Sequence, residues 1–142
     1  MHRILYKIAA FFAGLSVVVG AFGAHFLKTI LSPESLNSIH TAVTYQMTHS
    51  LAILAVGLIY SHYHFRKILI AGYFFVSGIL LFSGSIYLLA ILTYFGVERI
   101  TLIGLLTPLG GFSFFIGWLL LLVSIPVERA LHKESKDGSE QV

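Results

Sequence analysis

ILIAGYFFVSGILLFSGSIYLLAIL, from Ile68 to Leu92, runs for 25 residues without a single charge. A helix rises ~1.5 Å per residue, so about 20 residues cross the ~30 Å of hydrocarbon in a bilayer. Three further stretches share this character: Ile8–Leu27, Thr41–Tyr60 and Ile100–Ile125. Their runs are continuously apolar, whereas the strands of a membrane barrel alternate in segments of about ten residues. The pattern therefore predicts an all-α fold, a four-helix transmembrane bundle.

Composition agrees. Of 142 residues, 57% are hydrophobic and 11% charged, too few charges to cover a soluble core of this size. The chain has no cysteine, which excludes disulfides, thiolate nucleophiles and cysteine-based metal sites. The net charge of +3 does not point to nucleic acid. The basic residues sit in small groups beside the apolar stretches, where they act as topology determinants. The first stretch has the basic flank of a secretion signal (Arg3, Lys7) and small residues at Ala21–Ala24. Its apolar run of about 18–20 residues exceeds the 7–15 of a signal core, so a retained span is expected over a cleaved signal.

Lysine and arginine decide the threading. Arg3, Lys7, Arg66, Lys67, Arg129, Lys133 and Lys136 flank one set of span ends, and only Lys28 and Arg99 the other. Both termini and the Tyr60–Lys67 connection are thus expected in the cytoplasm of a multi-pass cell-membrane protein. Residues 1–127 form the membrane domain, and the polar 128–142 tail is expected to be disordered from about Lys133. The connection from Lys28 to His40 is more than loop. Ser32-Pro33-Glu34 is a helix start, with serine as N-cap, proline at the first helical position and an acid where the helix dipole favours it. Leu36, Ile39 and Val43 then recur at helical spacing opposite Asn37, Thr41 and Thr44. This is a short amphipathic helix, either lying at the outer interface or fused to span two as its N-terminal extension.

Lipid gives helices no hydrophobic reason to associate, so small residues and polar pairs carry the packing. Ser16, Gly20 and Ala24 form such a ridge on span one, widened by Gly14, Ala21 and Gly23. Gly110, Gly117 and Ser124 do so on span four, beside Gly104 and Gly111, while span three offers Gly72, Gly78 and Gly84. These faces are expected to point inward. Pro108 removes one backbone hydrogen bond of span four, predicting a kink. With Gly110 and Gly111 just beyond it, this is the hinge candidate, although a static kink is the favoured reading.

Depth along the spans brings polar residues to one level. Measured from the cytoplasmic end, His25, Tyr45, Ser85 and Thr107 fall about 25–27 Å up, and Gln46, Ser83 and His49 about 19–24 Å. Buried polar groups in lipid must find partners, and ionisable ones there are functional candidates. The expectation is one hydrogen-bonded cluster of His25, Tyr45, Gln46, His49, Ser83, Ser85 and Thr107 opening to the outer face. It serves either to fix helix register or to bind a ligand or relay protons. A metal site would need a third ligand from Glu34 or Glu98, and a serine hydrolase lacks its orienting acid within the spans. No catalytic residue, metal ligand or cofactor-binding residue is assigned, and no cofactor is expected.

Five motifs follow one another in order: Gly20-Ala21-Phe22-Gly23-Ala24-His25, Tyr45-Gln46-Met47-Thr48-His49-Ser50-Leu51-Ala52, Phe82-Ser83-Gly84-Ser85-Ile86-Tyr87, Thr107-Pro108-Leu109-Gly110-Gly111 and Gly117-Trp118. Together they resemble the YgdD-like family of small membrane proteins, related to transmembrane protein 256, over residues 5 to 125. The resemblance implies a four-span protein of the bacterial cytoplasmic membrane and brings no activity, substrate or site residue. The expected function is non-enzymatic, an assembly or stabilising component or a small binding protein. The alternative is a subunit of an oligomeric transporter or channel. The expected partners are the lipid bilayer and a second copy or another membrane protein.

Overall fold

A computed structural model describes residues 2–97 and 101–124. Among them are four helices long and apolar enough to cross a membrane: Arg3–Ile30, Pro33–Tyr63, Arg66–Tyr94 and Ile103–Leu122. They are the four expected spans, and the first three run further than the apolar stretches alone. The expected disordered tail at 128–142 lies outside the described residues.

The first connection is where length was gained. Span one continues through a π-helical turn, Gly23–Leu27, to Ile30, so Leu31 and Ser32 alone separate it from span two. Ser32 caps the next helix as expected, its hydroxyl accepting from the Ser35 N–H at 3.2 Å, with proline in the first turn. The amphipathic segment is fused to span two, giving one helix of 31 residues, Pro33–Tyr63. At ~1.5 Å per residue that is about 46 Å, longer than the hydrocarbon is thick. The polar residues tolerate helix because their hydroxyls fold back onto it. Ser38 donates to the Glu34 carbonyl, Thr41 to Asn37 and Thr44 to His40. Ile39 is buried and Thr41 is exposed, in keeping with the periodicity.

At the opposite end span two closes on His64, a left-handed residue (φ 54°) whose N–H bonds the Tyr60 carbonyl at 3.0 Å. Span three starts two residues later at Arg66 and contains a second π turn, Ile79–Ser83. Such a turn inserts a residue into the helical ladder and re-aims the side chains beyond it. Here Ser83 meets span two and Ser85 meets span four.

Span one packs against span two, span four against span three, and spans two and three join the pairs. The core gathers in the half nearer His64, around Leu5, Ile53, Val56, Ile68, Phe75 and Phe114. The glycines show how close the backbones come. A side chain on Gly57 would strike the Tyr6 ring, one on Gly117 the Phe75 ring, and one on Gly110 the backbone nitrogen of Phe82. The Gly110, Gly117 and Ser124 stripe is buried as expected, with both glycines against span three. The ridge on span one is corrected in part. Ser16 and Gly23 are buried and Gly20 lies against Val43, but Ala21 and Ala24 are exposed, as is Gly104 on span four, and Gly14 has open space where a side chain would begin. Span one packs chiefly against span two, so only one side of it needs small residues.

Span four runs as one α-helix, Thr101–Leu122, through Pro108. Gly110, just beyond the proline, is held against the Phe82 backbone, whereas Gly111 has open space where a side chain would begin. Gly110→Ala should therefore lower the stability of the detergent-solubilised protein by about 1–3 kcal/mol, the cost of overpacking. Gly111→Ala, the same change one residue further on, should be neutral or stabilising in the same melting experiment.

Candidate functional site

Gln46 is fully buried in the middle of span two and is bonded on both sides. Its Nε2 donates to the Phe12 carbonyl of span one at 2.8 Å, and its Oε1 accepts from the Tyr87 hydroxyl of span three at 3.0 Å. One amide thus ties three spans. An amide is suited to this because it offers a donor and an acceptor on one rigid plane. Its own main-chain carbonyl takes the Ser50 hydroxyl at 2.6 Å.

One turn further, His49 lies only 5% exposed against the face of Phe114, ring centroids 3.5 Å apart and planes 13° from parallel. Tyr45, Phe75 and Trp118 complete an aromatic enclosure around it. Its hydrogen bonds assign the tautomer. The Trp118 indole N–H can only donate, so His49 Nε2 accepts it at 3.2 Å. Nδ1 therefore carries the hydrogen and donates to the Tyr45 carbonyl at 2.8 Å. This is a neutral imidazole with both nitrogens used.

The remaining polar groups form separate ties. Ser83 donates to the Ala42 carbonyl at 2.9 Å, linking spans three and two. Ser85 donates to the Phe82 carbonyl and lies 2.7 Å from the Thr107 hydroxyl, linking spans three and four. Among the described residues no buried side-chain nitrogen or oxygen lacks a partner.

Of the seven residues expected in one cluster, the structure thus joins six to ties between spans or rings beside them, in four separate groups. Tyr45 contributes its carbonyl and its ring, which stacks on Phe82 with centroids 4.6 Å apart and is 43% exposed. His25 stands apart. It lies in the exposed π turn of span one, beside Ala21, Phe22 and Phe26 of its own helix. Equal depth did not bring His25 to the others: at about 100° per residue it lies on the side of span one opposite Leu5 and Ser16, which face the interior. Sequence reasoning missed Tyr87 and Trp118, although both stand in the motifs that carry the family resemblance. It also missed Ser77 and Ser113, whose hydroxyls meet at 2.7 Å while Ser113 donates to the Phe74 carbonyl. For Ser113 a spacing signal was present, since it lies three residues after Gly110 and four before Gly117, on the stripe read as inward. Among the described residues no three histidines or carboxylates group as metal ligands.

A family model described as a protein of unknown function, DUF423, matches residues 19–111. The chain belongs to this family. A UPF0382 membrane protein of Staphylococcus saprophyticus is 39% identical over 121 residues, covering 85% of this chain and 95% of its own. UPF0382 membrane protein YwdK of Bacillus subtilis is 35% identical over 86% of this chain and 95% of its own. A UPF0382 membrane protein of Schizosaccharomyces pombe is 41% identical over 84% of this chain and 98% of its own. No solved structure matches. The chain is therefore a membrane protein of a family without assigned function, as its motifs led one to expect. The stretch matched by the DUF423 model spans Gln46, His49, Ser83, Ser85, Tyr87 and Thr107, and stops short of Trp118.

The Gln46–Tyr87 bond can be tested as a pair. Tyr87→Phe should cost about 0.6–1.7 kcal/mol, the range of hydrogen bonds between membrane helices. Gln46→Leu should cost more, about 1–3 kcal/mol, because it leaves the Tyr87 hydroxyl facing hydrocarbon. The double variant should then be more stable than Gln46→Leu alone, a coupling that unfolding in detergent would measure.

Proposed function

We propose that this DUF423 protein is a non-enzymatic component of the cell membrane, an assembly, stabilising or small binding protein whose interior polar groups fix helix register. The observation that carries this reading is saturation. Gln46, His49, Ser83 and Ser85 each find their partners within the chain itself, mostly backbone carbonyls. A general base or a proton carrier needs a lone pair or a proton available to a substrate or to water. A transport subunit needs polar atoms facing a path. Here both ring nitrogens of His49 and both ends of the Gln46 amide are engaged. Placement of both termini on the cytoplasmic side belongs to the same proposal. Arg3, Lys7, Arg66 and Lys67 lie at one end of the bundle and Lys28 at the other, in agreement with the positive-inside rule.

Two measurements test it. A His62→Cys variant, exposed beside the turn between spans two and three, should react with a membrane-impermeant maleimide only after the cells are opened. Labelling of intact cells would reverse the threading. In a strain lacking the gene, His49→Phe keeps the stack on Phe114 but removes both hydrogen bonds. It should restore the wild-type phenotype in proportion to the folded protein that accumulates. Loss of function at full accumulation and unchanged melting temperature would assign His49 a chemical role instead.

A further inference from the structure

Between spans one and three, at the end where the chain turns through Leu31, a cavity of about 460 Å³ opens toward the bilayer, and its lining exposes no polar surface. Val18 and Phe22 of span one form one wall, and Ala90 and Ile91 of span three the other. Ile39 of span two lies at the floor with Tyr87. Tyr87 presents only its ring there, because its hydroxyl is committed to Gln46. Leu27, Ile30 and Leu31 close the end of the cleft, and Lys28, on the same turn, is exposed.

We infer that this cleft is a lipid-binding site that takes one acyl chain of a membrane phospholipid, with the phosphate at Lys28. The inference rests on the non-enzymatic, small-binding-protein reading above and names its ligand. Three observations select the occupant. The lining has nothing to offer a polar solute, and water in such a site would lose its hydrogen bonds. The space is too small for a helix from a partner. A membrane-spanning helix 10–12 Å across and about 30 Å long occupies roughly 2,900 Å³, more than twice the free space between the walls with the open mouth counted, about 1020 Å³. A hydrocarbon chain, a single carbon wide with contacts at about 3.5–4.0 Å, fits between the walls. Finally, Lys28 is exposed within the turn whose Leu27, Ile30 and Leu31 close the cleft, so its long side chain can snorkel to a lipid phosphate at the bilayer surface. The depth of the cleft follows from the bundle itself. Spans one and three are joined through Gln46 below the cleft, and above it Val18 and Phe22 of span one are more than half exposed.

The test is native mass spectrometry of the full chain extracted from vesicles of phosphatidylethanolamine and phosphatidylglycerol. The wild type should retain one phospholipid mass per chain through delipidating detergent washes. Ala90→Phe, which fills the cleft from span three, should reduce that adduct about tenfold. Val18→Trp fills it from an exposed position on span one and should do the same without loading the core. Lys28→Gln should weaken retention severalfold while leaving the apolar walls intact. Equal retention by the wild type and both filled variants would overturn the site, as would a wild type that holds no lipid. A complex of two chains that the filled variants abolish would give the cleft to a second copy and overturn it equally. His49→Phe touches no wall of the cleft, so the lipid site and the register role of the polar ties can each fail without the other.

Discussion

One side-chain amide organises the centre of this protein. Gln46 reaches the Phe12 carbonyl on one side and the Tyr87 hydroxyl on the other, while lying 1% exposed. In water such a group would contribute little, since the unfolded chain is equally well hydrogen-bonded. Between apolar helices in lipid the alternatives are poor, and the tie sets both the rotation and the height of spans one, two and three. It holds span one to the rest of the bundle at mid-depth. Below it the helices close into the Leu5, Ile53 and Phe75 core, and above it an apolar cleft lies between span one and span three.

The fourth span is held by different physics. Its stripe of small residues lets the backbone approach span three until, at Gly110 and Gly117, there is no room for a methyl group. Ser85 with Thr107, and Ser77 with Ser113, then add hydrogen bonds across the seam. His49 lies over Phe114 and accepts from Trp118, so span two reaches span four through rings as well. Close packing and polar ties thus alternate along one interface. The membrane removes the hydrophobic alternative, and both devices act at short range.

Helix phase in span one and a π turn in span three explain most of the difference between expected and observed sites. Depth puts His25 level with Tyr45 and Thr107, but at about 100° per residue it stands on the face of span one opposite Leu5 and Ser16, away from the bundle. In span three the π turn Ile79–Ser83 places Ser83 against the Ala42 carbonyl and leaves Ser85 for Thr107. Nothing in the local residues announces such a turn, because its cost is recovered from packing elsewhere. Tyr87 and Trp118 were overlooked for a related reason. Both have rings that suit lipid equally well, and only the facing helix reveals that their polar tips have partners.

By itself the sequence determined the solvent, the number of spans, the cap at Ser32-Pro33 and the side of span four that meets span three. Each of these follows from properties carried along one helix: apolar length, local capping chemistry and the spacing of small residues. Tertiary structure alone decided that the polar layer divides into separate ties and that an apolar cleft opens above Gln46. Those outcomes depend on how far one helix is rotated relative to the next. That rotation is set by contacts between spans dozens of residues apart, which no periodicity within a single span records.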